Sequence, residues 1–443
     1  MSDLRNLPKI DALASLPNLQ AFPLQIRVES ARTVVQLLRE VTLAGGQYDP
    51  IQTEHLVIEE AERRSTASLR RVINATGVIL HTGAGRARLA PSVVAQVQEV
   101  AANHASVELD LESGQRGDRQ SHVRGLLCEL TGAESALVVN NCAAAVFLTL
   151  TALCSGGEVV LSRGEMVEIG GSFRMPDIVR QSGCKLVEVG CTNKTRIADY
   201  RQAISDQTSA ILRCHPSNFR IVGFSETPAL SKISNLATEF DVIVIDDLGS
   251  GCLVDTTTYG LPSEPRVQDS LRAGADVVLF SGDKMLGGPQ AGIIIGKAQL
   301  IDRIKAHPLA RAVRIDKLSL AGLEATLRLY SSGEEATIPV LAYLSKDIDL
   351  IRTQAEHLAA SFPGKSVVET GLSEVGGGSI PGVGIGTWRV GLKVEKADEV
   401  AKSLRTGKPP ILARIEDGKV WLDPRTLDLN ELEEVAKRLG ELA

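Results

Sequence analysis

Phe280-Ser281-Gly282-Asp283-Lys284-Met285-Leu286-Gly287-Gly288-Pro289-Gln290-Ala291-Gly292 places a lysine in a loop of small residues where an apolar run, residues 275–280, ends. A lysine in that position stands at the open edge of a sheet. Upstream, residues 136–140, 158–162, 185–189, 209–214 and 241–246 are further apolar strand-like runs, separated by polar-faced helical stretches. That rhythm predicts stacked βα units. Parallel neighbours need crossovers of a dozen or more residues, so the expected sheet is mostly parallel and covered by helices on both faces. Ligands then collect at the strand carboxyl ends.

Two other strand ends carry chemistry. Val139-Asn140-Asn141-Cys142-Ala143-Ala144-Ala145 joins a strand to an Ala-rich helix, whose unpaired first-turn N–H groups suit a phosphate. Asn141, Cys142 and Ala143 are the candidate phosphate ligands, with a buried apolar thiol as the alternative for Cys142. Ile243-Val244-Ile245-Asp246-Asp247-Leu248-Gly249-Ser250-Gly251 ends in carboxylates before a tight glycine turn. Of the pair, Asp247 is the candidate for holding a proton on a heterocyclic nitrogen; a helix cap or solvent-facing acid is the bland alternative. A phosphate cradle completed by Ser281, an acid and an amine, in this order along the chain, form the set expected of pyridoxal 5′-phosphate (PLP), with Lys284 as the group that joins the cofactor aldehyde. Judged from its loop alone, Lys284 could also be an ordinary surface lysine.

Length and composition agree with a large α/β domain plus smaller ones. The chain has 443 residues, 44% hydrophobic and 23% charged, with a formal net charge of −6. A negative balance predicts no general attraction to nucleic acid. The seven cysteines (128, 142, 154, 184, 191, 214, 252) include no CxxC pair or neighbouring His cluster, so reduced thiols and no metal are expected. Asp3, Arg5, Lys9 and Asp11 interrupt the first twenty residues, which read as neither leader nor membrane span; a cytoplasmic location is expected.

The first 70 residues read as a helical domain: a short helix broken near Pro17, an amphipathic stretch Leu24–Leu43, and another over 51–69. A catalytic domain is expected over 71–318, opening with the β-type run at 72–80. Residues 319–443 read as a linker helix and a small α+β domain, with Asp417-Gly418 turning a hairpin between 411–416 and 419–422 and Asp428 capping a final helix.

Several runs resemble those of bacterial selenocysteine synthase: Asn74-Ala75-Thr76-Gly77-Val78-Ile79-Leu80-His81-Thr82, Arg163-Gly164-Glu165, Gly170-Gly171-Ser172-Phe173-Arg174, and His215-Pro216-Ser217-Asn218-Phe219-Arg220. Ser281-Gly282-Asp283-Lys284, Asp316-Lys317-Leu318, Gly376-Gly377-Gly378-Ser379-Ile380-Pro381-Gly382 and the C-terminal hairpin extend the likeness from about residue 5 to the end. The resemblance implies a fold-type I PLP-dependent transferase that converts L-seryl-tRNA(Sec) to L-selenocysteinyl-tRNA(Sec) with selenophosphate, through a PLP-bound aminoacrylate. It further implies that Arg86, Arg311 and Arg314 bind the selenophosphate polyanion, for which guanidinium forks are well shaped. Lys284 would handle the Cα proton, with Asp283 and His81 as assisting candidates. The N-terminal domain would recognise the tRNA, and the assembly would be a homodecamer built from dimers.

Some positions depart from the family pattern: Gly83, Ala84 and Arg88 after His81-Thr82, Cys142 where Asn is usual, and Cys191 where Thr is usual. The first 71 residues carry nine basic and nine acidic side chains, so they offer no net charge to an RNA. Arg63/Arg64 and Arg70/Arg71, seven apart, would align on one helical face as a phosphate track, or simply pair with Glu59 and Glu60. Two rival readings share these motifs: a lyase of the same fold acting on a phosphorylated amino sugar acid or other small amino substrate, and a tRNA-binding protein that has lost its chemistry.

Overall fold

The computed structural model describes residues 3–47, 49–171 and 173–443; Ser172, part of one quoted motif, lies outside them. The chain divides into two compact units, Met1–Arg71 and Val72–Ala443. In the first, helices Leu24–Leu43 and Pro50–Ser65 pack through Ala31, Val34 and Leu38 against Val57 and Ala61, with Leu13 and Leu19 closing the core. Asp49 caps the second helix by accepting from the Ile51 N–H at 2.9 Å. That helix stops at Ser65, where Thr66 turns extended and its hydroxyl donates to the Glu62 carbonyl at 2.7 Å. Arg70 and Arg71 therefore do not share a helical face with Arg63 and Arg64, contrary to the seven-residue spacing. Arg63 and Arg64 both pair with Glu60, at 2.6 and 2.7 Å.

The larger unit opens with two short strands, β1 (Ile73–Asn74) and β2 (Val78–Leu80). Seven strands of the main sheet follow: β3 (Ser135–Val139), β4 (Glu158–Ser162), β5 (Lys185–Val189), β6 (Thr208–Cys214), β7 (Ile243–Gly249), β8 (Val277–Ser281) and β9 (Gly292–Gly296). Their order is β3-β9-β8-β7-β6-β4-β5. The pairs from β5 through β8 are parallel, whereas β9 runs antiparallel to both β8 and β3. The sequence reading had no strand at Gly-Ile-Ile-Ile-Gly; it returns from the lysine loop by a short connection, which only an antiparallel neighbour permits.

Side chains alternate between two cores. Leu137, Val159, Leu212, Ile245, Leu279 and Ile294 face the helix Cys142–Cys154, while Val138, Val278, Phe280 and Ile293 face helices Ser121–Thr131 and Lys317–Ser331. Both faces are covered, which explains why the strands read as continuous apolar runs.

The remaining strands are β10 (Ser366–Gly376), β11 (Gly384–Leu392), β12 (Ile411–Leu412), β13 (Arg414–Glu416) and β14 (Lys419–Leu422). They form a second sheet, β13-β14-β11-β10-β2, and a short parallel pair, β1-β12. Asp417 (φ 49°) and Gly418 (φ 73°) make the left-handed turn expected of Asp-Gly. Two sequence readings change here. Ile411 and Leu412 leave the hairpin to pair with β1, and the run at 73–80, placed at the head of the catalytic domain, pairs instead with C-terminal strands.

Asp423 holds that junction. Its N–H donates to the Ala75 carbonyl at 2.8 Å. Its carboxylate accepts from Ser373 Oγ (2.6 Å), Thr387 Oγ1 (2.9 Å) and the Arg425 N–H (2.9 Å). Gly77, at φ 73°, packs so closely that an added Cβ would stand 2.1 Å from Asp423 Oδ2. Asp423→Ala strands three buried donors and is expected to cost about 3 kcal/mol in chemical denaturation; Asp423→Asn, which keeps one acceptor oxygen, should cost less. Equal losses for the two variants would contradict this assignment.

Candidate active site

The carboxyl ends of β7 and β8, with the turn after β3, enclose a cavity of 360 Å³ lined by Arg86, Asn141, Cys142, Ala143, Asp247, Ser281, Asp283 and Lys284. Lys284 is 4% exposed. Its loop closes on itself through Gly282 N–H to the Ala291 carbonyl and Gly288 N–H to the Gly282 carbonyl, both 2.9 Å. On one side of its Nζ lies the Gly249 turn. On the other lies Gly378, at φ 91°, where an added Cβ would stand 2.7 Å from Nζ, so only glycine lets that backbone approach the amine.

Asp247 shares its strand face with Ile245 and is 4% exposed. Burial drives its pKa up to about 6, an effect that Lys284 and the Cys142 thiol partly oppose. Cys142 Sγ donates to Asp247 Oδ1 at 3.6 Å, and burial pushes that thiol's pKa up. Asp246 alternates to the opposite face of the sheet, beside Arg213. Asn141 caps the helix Cys142–Cys154 by accepting from the Ala144 N–H at 2.8 Å, and Cys142 and Ala143, in its first turn, line the cavity.

Arg86 adopts φ 63° and its Nη1 donates to Asp283 Oδ2 at 2.8 Å, while Ala87 N–H donates to the Asp283 carbonyl at 3.2 Å. The guanidinium is thereby held at the cavity mouth next to Lys284. Other residues stand elsewhere. His81 lines a neighbouring cavity, its Nδ1 buried without a hydrogen-bond partner among the described residues. Arg311 and Arg314 are exposed, do not line the lysine's cavity, and Arg314 reaches Glu108 at 4.0 Å. Their segment reaches the site through Val313, whose carbonyl accepts from the Asn140 N–H at 2.8 Å and whose side chain packs on the core behind it. Val146 and Gln290 also line the cavity; Gln290 falls within the lysine loop, whereas Val146 carries no sequence signal that marks it. The atypical Arg88 pairs with Asp428 (2.8 Å) and Glu431 (3.1 Å) at the start of the final helix. Cys191 is exposed, and nothing in the structure explains it.

A buried amine, an acid on the adjoining strand and a helix N-terminus form a set able to hold an aldehyde that carries a phosphate. Among the described residues, no group of three or more His, Cys, Asp or Glu side chains is placed to hold a metal, and no helix is long and apolar enough to cross a membrane.

In protein stripped of small molecules, the raised pKa of Asp247 sets a pH dependence. The unfolded value is 3.8 and the folded value about 6. Its burial therefore costs nothing below the first, increasingly more between the two, and its full amount above the second. Asp247→Asn should unfold at higher urea than wild type at pH 7.5, with the gap shrinking toward pH 4. A gap independent of pH would contradict the assigned titration.

Comparison with known proteins agrees with this geometry. The family model described as SelA, L-seryl-tRNA selenium transferase, matches residues 72–428. The L-seryl-tRNA(Sec) selenium transferase of Hyphomonas neptunium is 45% identical over 99% of this chain and 99% of its own. That of Carboxydothermus hydrogenoformans is 45% identical over 99% of this chain and 97% of its own. Among solved structures, a D-glucosaminate-6-phosphate ammonia-lyase superposes with a TM-score of 0.60 at 23% identity, covering 84% of this chain and 96% of its own, a likeness of fold. The fold is that of the fold-type I PLP enzymes, and the chain belongs to the SelA family of L-seryl-tRNA selenium transferases.

Proposed function

We propose that this enzyme converts L-seryl-tRNA(Sec) to L-selenocysteinyl-tRNA(Sec) with selenophosphate as donor, at the cavity that holds Lys284. The observation that carries the reading is the buried Lys284 amine flanked by Asp247 on one side and by the Arg86–Asp283 pair on the other. Its cofactor is PLP, and the residues fit it. Lys284 Nζ is the amine for the aldehyde, Ser281 and the N–H groups of Cys142 and Ala143 would hold the phosphate, and Asp247 would keep a proton on the ring nitrogen. Bound there, PLP supplies an electron sink that acidifies the seryl Cα–H and lets the β-hydroxyl depart.

The chain's own groups then have defined tasks. Lys284 Nζ, once released, takes the Cα proton. Asp247 would set its carboxylate against the ring nitrogen and keep that nitrogen protonated. Arg86, oriented by Asp283, places the selenophosphate oxygens at the mouth. In one chain this donor role rests on Arg86, because Arg311 and Arg314 stand outside the cavity. His81, one cavity away, would assist a proton transfer only through the substrate that fills both spaces.

The separate unit Met1–Arg71 is the part we assign to tRNA recognition. With nine basic and nine acidic residues it would select by shape more than by charge. Family resemblance is the support for that role, for a decamer of dimers and for a cytoplasmic location.

Wild-type holoenzyme should show the visible absorbance of lysine-bound PLP and convert seryl-tRNA(Sec), and Lys284→Ala should lose both. Arg86→Ala should raise KM for selenophosphate roughly tenfold to a hundredfold and leave KM for seryl-tRNA(Sec) near wild type. Absorbance without conversion would sink the transferase reading and favour a lyase acting on a small amino substrate.

A further inference from the structure

Beyond the carboxyl ends of β4, β5 and β6 lies a cavity of 410 Å³ to which the reaction above assigns no role. Two buried carboxylates line it. Glu165 is satisfied, accepting from Arg213 Nε at 2.9 Å. Glu264 is not. It is 4% exposed, and its Oε1 lacks a hydrogen-bond partner among the described residues. The nearest cation-capable group is His215 Nε2 at 3.6 Å, within ion-pair range but beyond a hydrogen bond, and that buried atom likewise lacks a hydrogen-bond partner among the described residues. The backbone beneath Glu264 is pinned, its N–H donating to Thr256 Oγ1 at 2.9 Å. A buried acceptor left unpaired is costly, so the pair is built for a ligand that offers a donor to the carboxylate and a ring atom to the imidazole. Phe219, 38% exposed, and Arg220 line the same cavity and supply flat surfaces for stacking.

The cavity adjoins a second space that in turn adjoins the lysine site. Ile380, Pro381 and Val383 line both it and a second space of 370 Å³, which Gly378, Ser217 and Thr82 also line. Gly378 is the residue set against Lys284 Nζ, and Thr82 also lines the lysine's own cavity. Residues 215–217 run along the same route, His215 N–H donating to the Asp247 carbonyl at 2.9 Å. At the shared wall, Ile380 is held at φ 47° while 6% exposed. A β-branched side chain in that conformation is strained, and such strain concentrates where a site needs a particular wall.

We propose that this cavity takes the 3′-terminal adenine of the charged tRNA, with the ribose and its seryl ester extending through the second space to Lys284. The inference rests on the transferase reading above. An unstacked adenine matches the walls: its exocyclic amine donates to Glu264, a ring nitrogen meets His215, and its faces stack on Phe219 or Arg220.

A double-substitution cycle on the full-length holoenzyme tests this. Wild type and Glu264→Leu are each assayed with seryl-tRNA(Sec) ending in adenosine and with the same tRNA ending in purine riboside, which lacks the exocyclic amine. Removing the amine should lower wild-type kcat/KM about tenfold to a hundredfold, mainly through KM, and Glu264→Leu should lose a similar factor on the natural end. Combined, the two changes should lose no more than either alone, with KM for selenophosphate unmoved. The substrate change on wild type stands even if Glu264→Leu fails to fold, which its PLP absorbance reports. Independent, multiplying losses, or indifference of wild type to the amine, overturn the adenine site while leaving the transferase reading intact. Failure of wild type to convert the natural tRNA overturns both.

Discussion

Lys284 and Asp247 bury an amine and a carboxylate around one cavity, and the architecture around them follows from that demand. Isolated burial of either charge is expensive, and the raised pKa of Asp247 registers the expense even with Lys284 beside it. A covered sheet meets the demand cheaply. It places both residues at strand ends where backbone already turns, and it closes the space with the Cys142–Cys154 helix on one side and the loop at residues 376–382 on the other. The same enclosure keeps the two groups in a water-poor setting, where charge interactions count for more than in bulk water.

The glycines at the lysine extend this logic to the second sheet. Because Gly378 has no Cβ, β10 can deliver its end directly onto the amine, so the small C-terminal sheet contributes a wall to a site whose chemistry sits on the main one. Asp423 and Gly77 make the corresponding contact at the base of that sheet, tying β1 and β2 to strands roughly three hundred residues later. Such pairings of residues distant in sequence carry a loop-closure cost that local structure does not.

The elements legible beforehand are those with a strong local signal. Strands β4 and β5 and the helix Leu24–Leu43 have apolar patterns that periodicity resolves to the residue. The Asp-Gly turn and the Asp428 cap announce themselves by residue type. What escaped lacked such a signal. Gly-Ile-Ile-Ile-Gly reads as part of the lysine loop until its antiparallel partners are seen. The tail of the second N-terminal helix, residues 66–71, keeps helix-compatible residues, yet Thr66 ends the helix by bonding back to Glu62. Val146 reaches the cavity without any motif to mark it.

Sequence by itself determined the order of chemistry along the chain: a capped helix start at Asn141-Cys142, an acid at Asp247, an amine at Lys284, each at the end of an apolar run. It did so because strand ends and helix starts are written in short-range residue patterns. Only the tertiary structure decided which of these share a cavity, that Arg86 reaches Asp283 across nearly two hundred residues, that Arg311 and Arg314 stay outside, and that Glu264 faces His215 in a cavity of its own. Those are long-range choices, set by strand order and by where a glycine allows backbone to approach, and no local pattern encodes them.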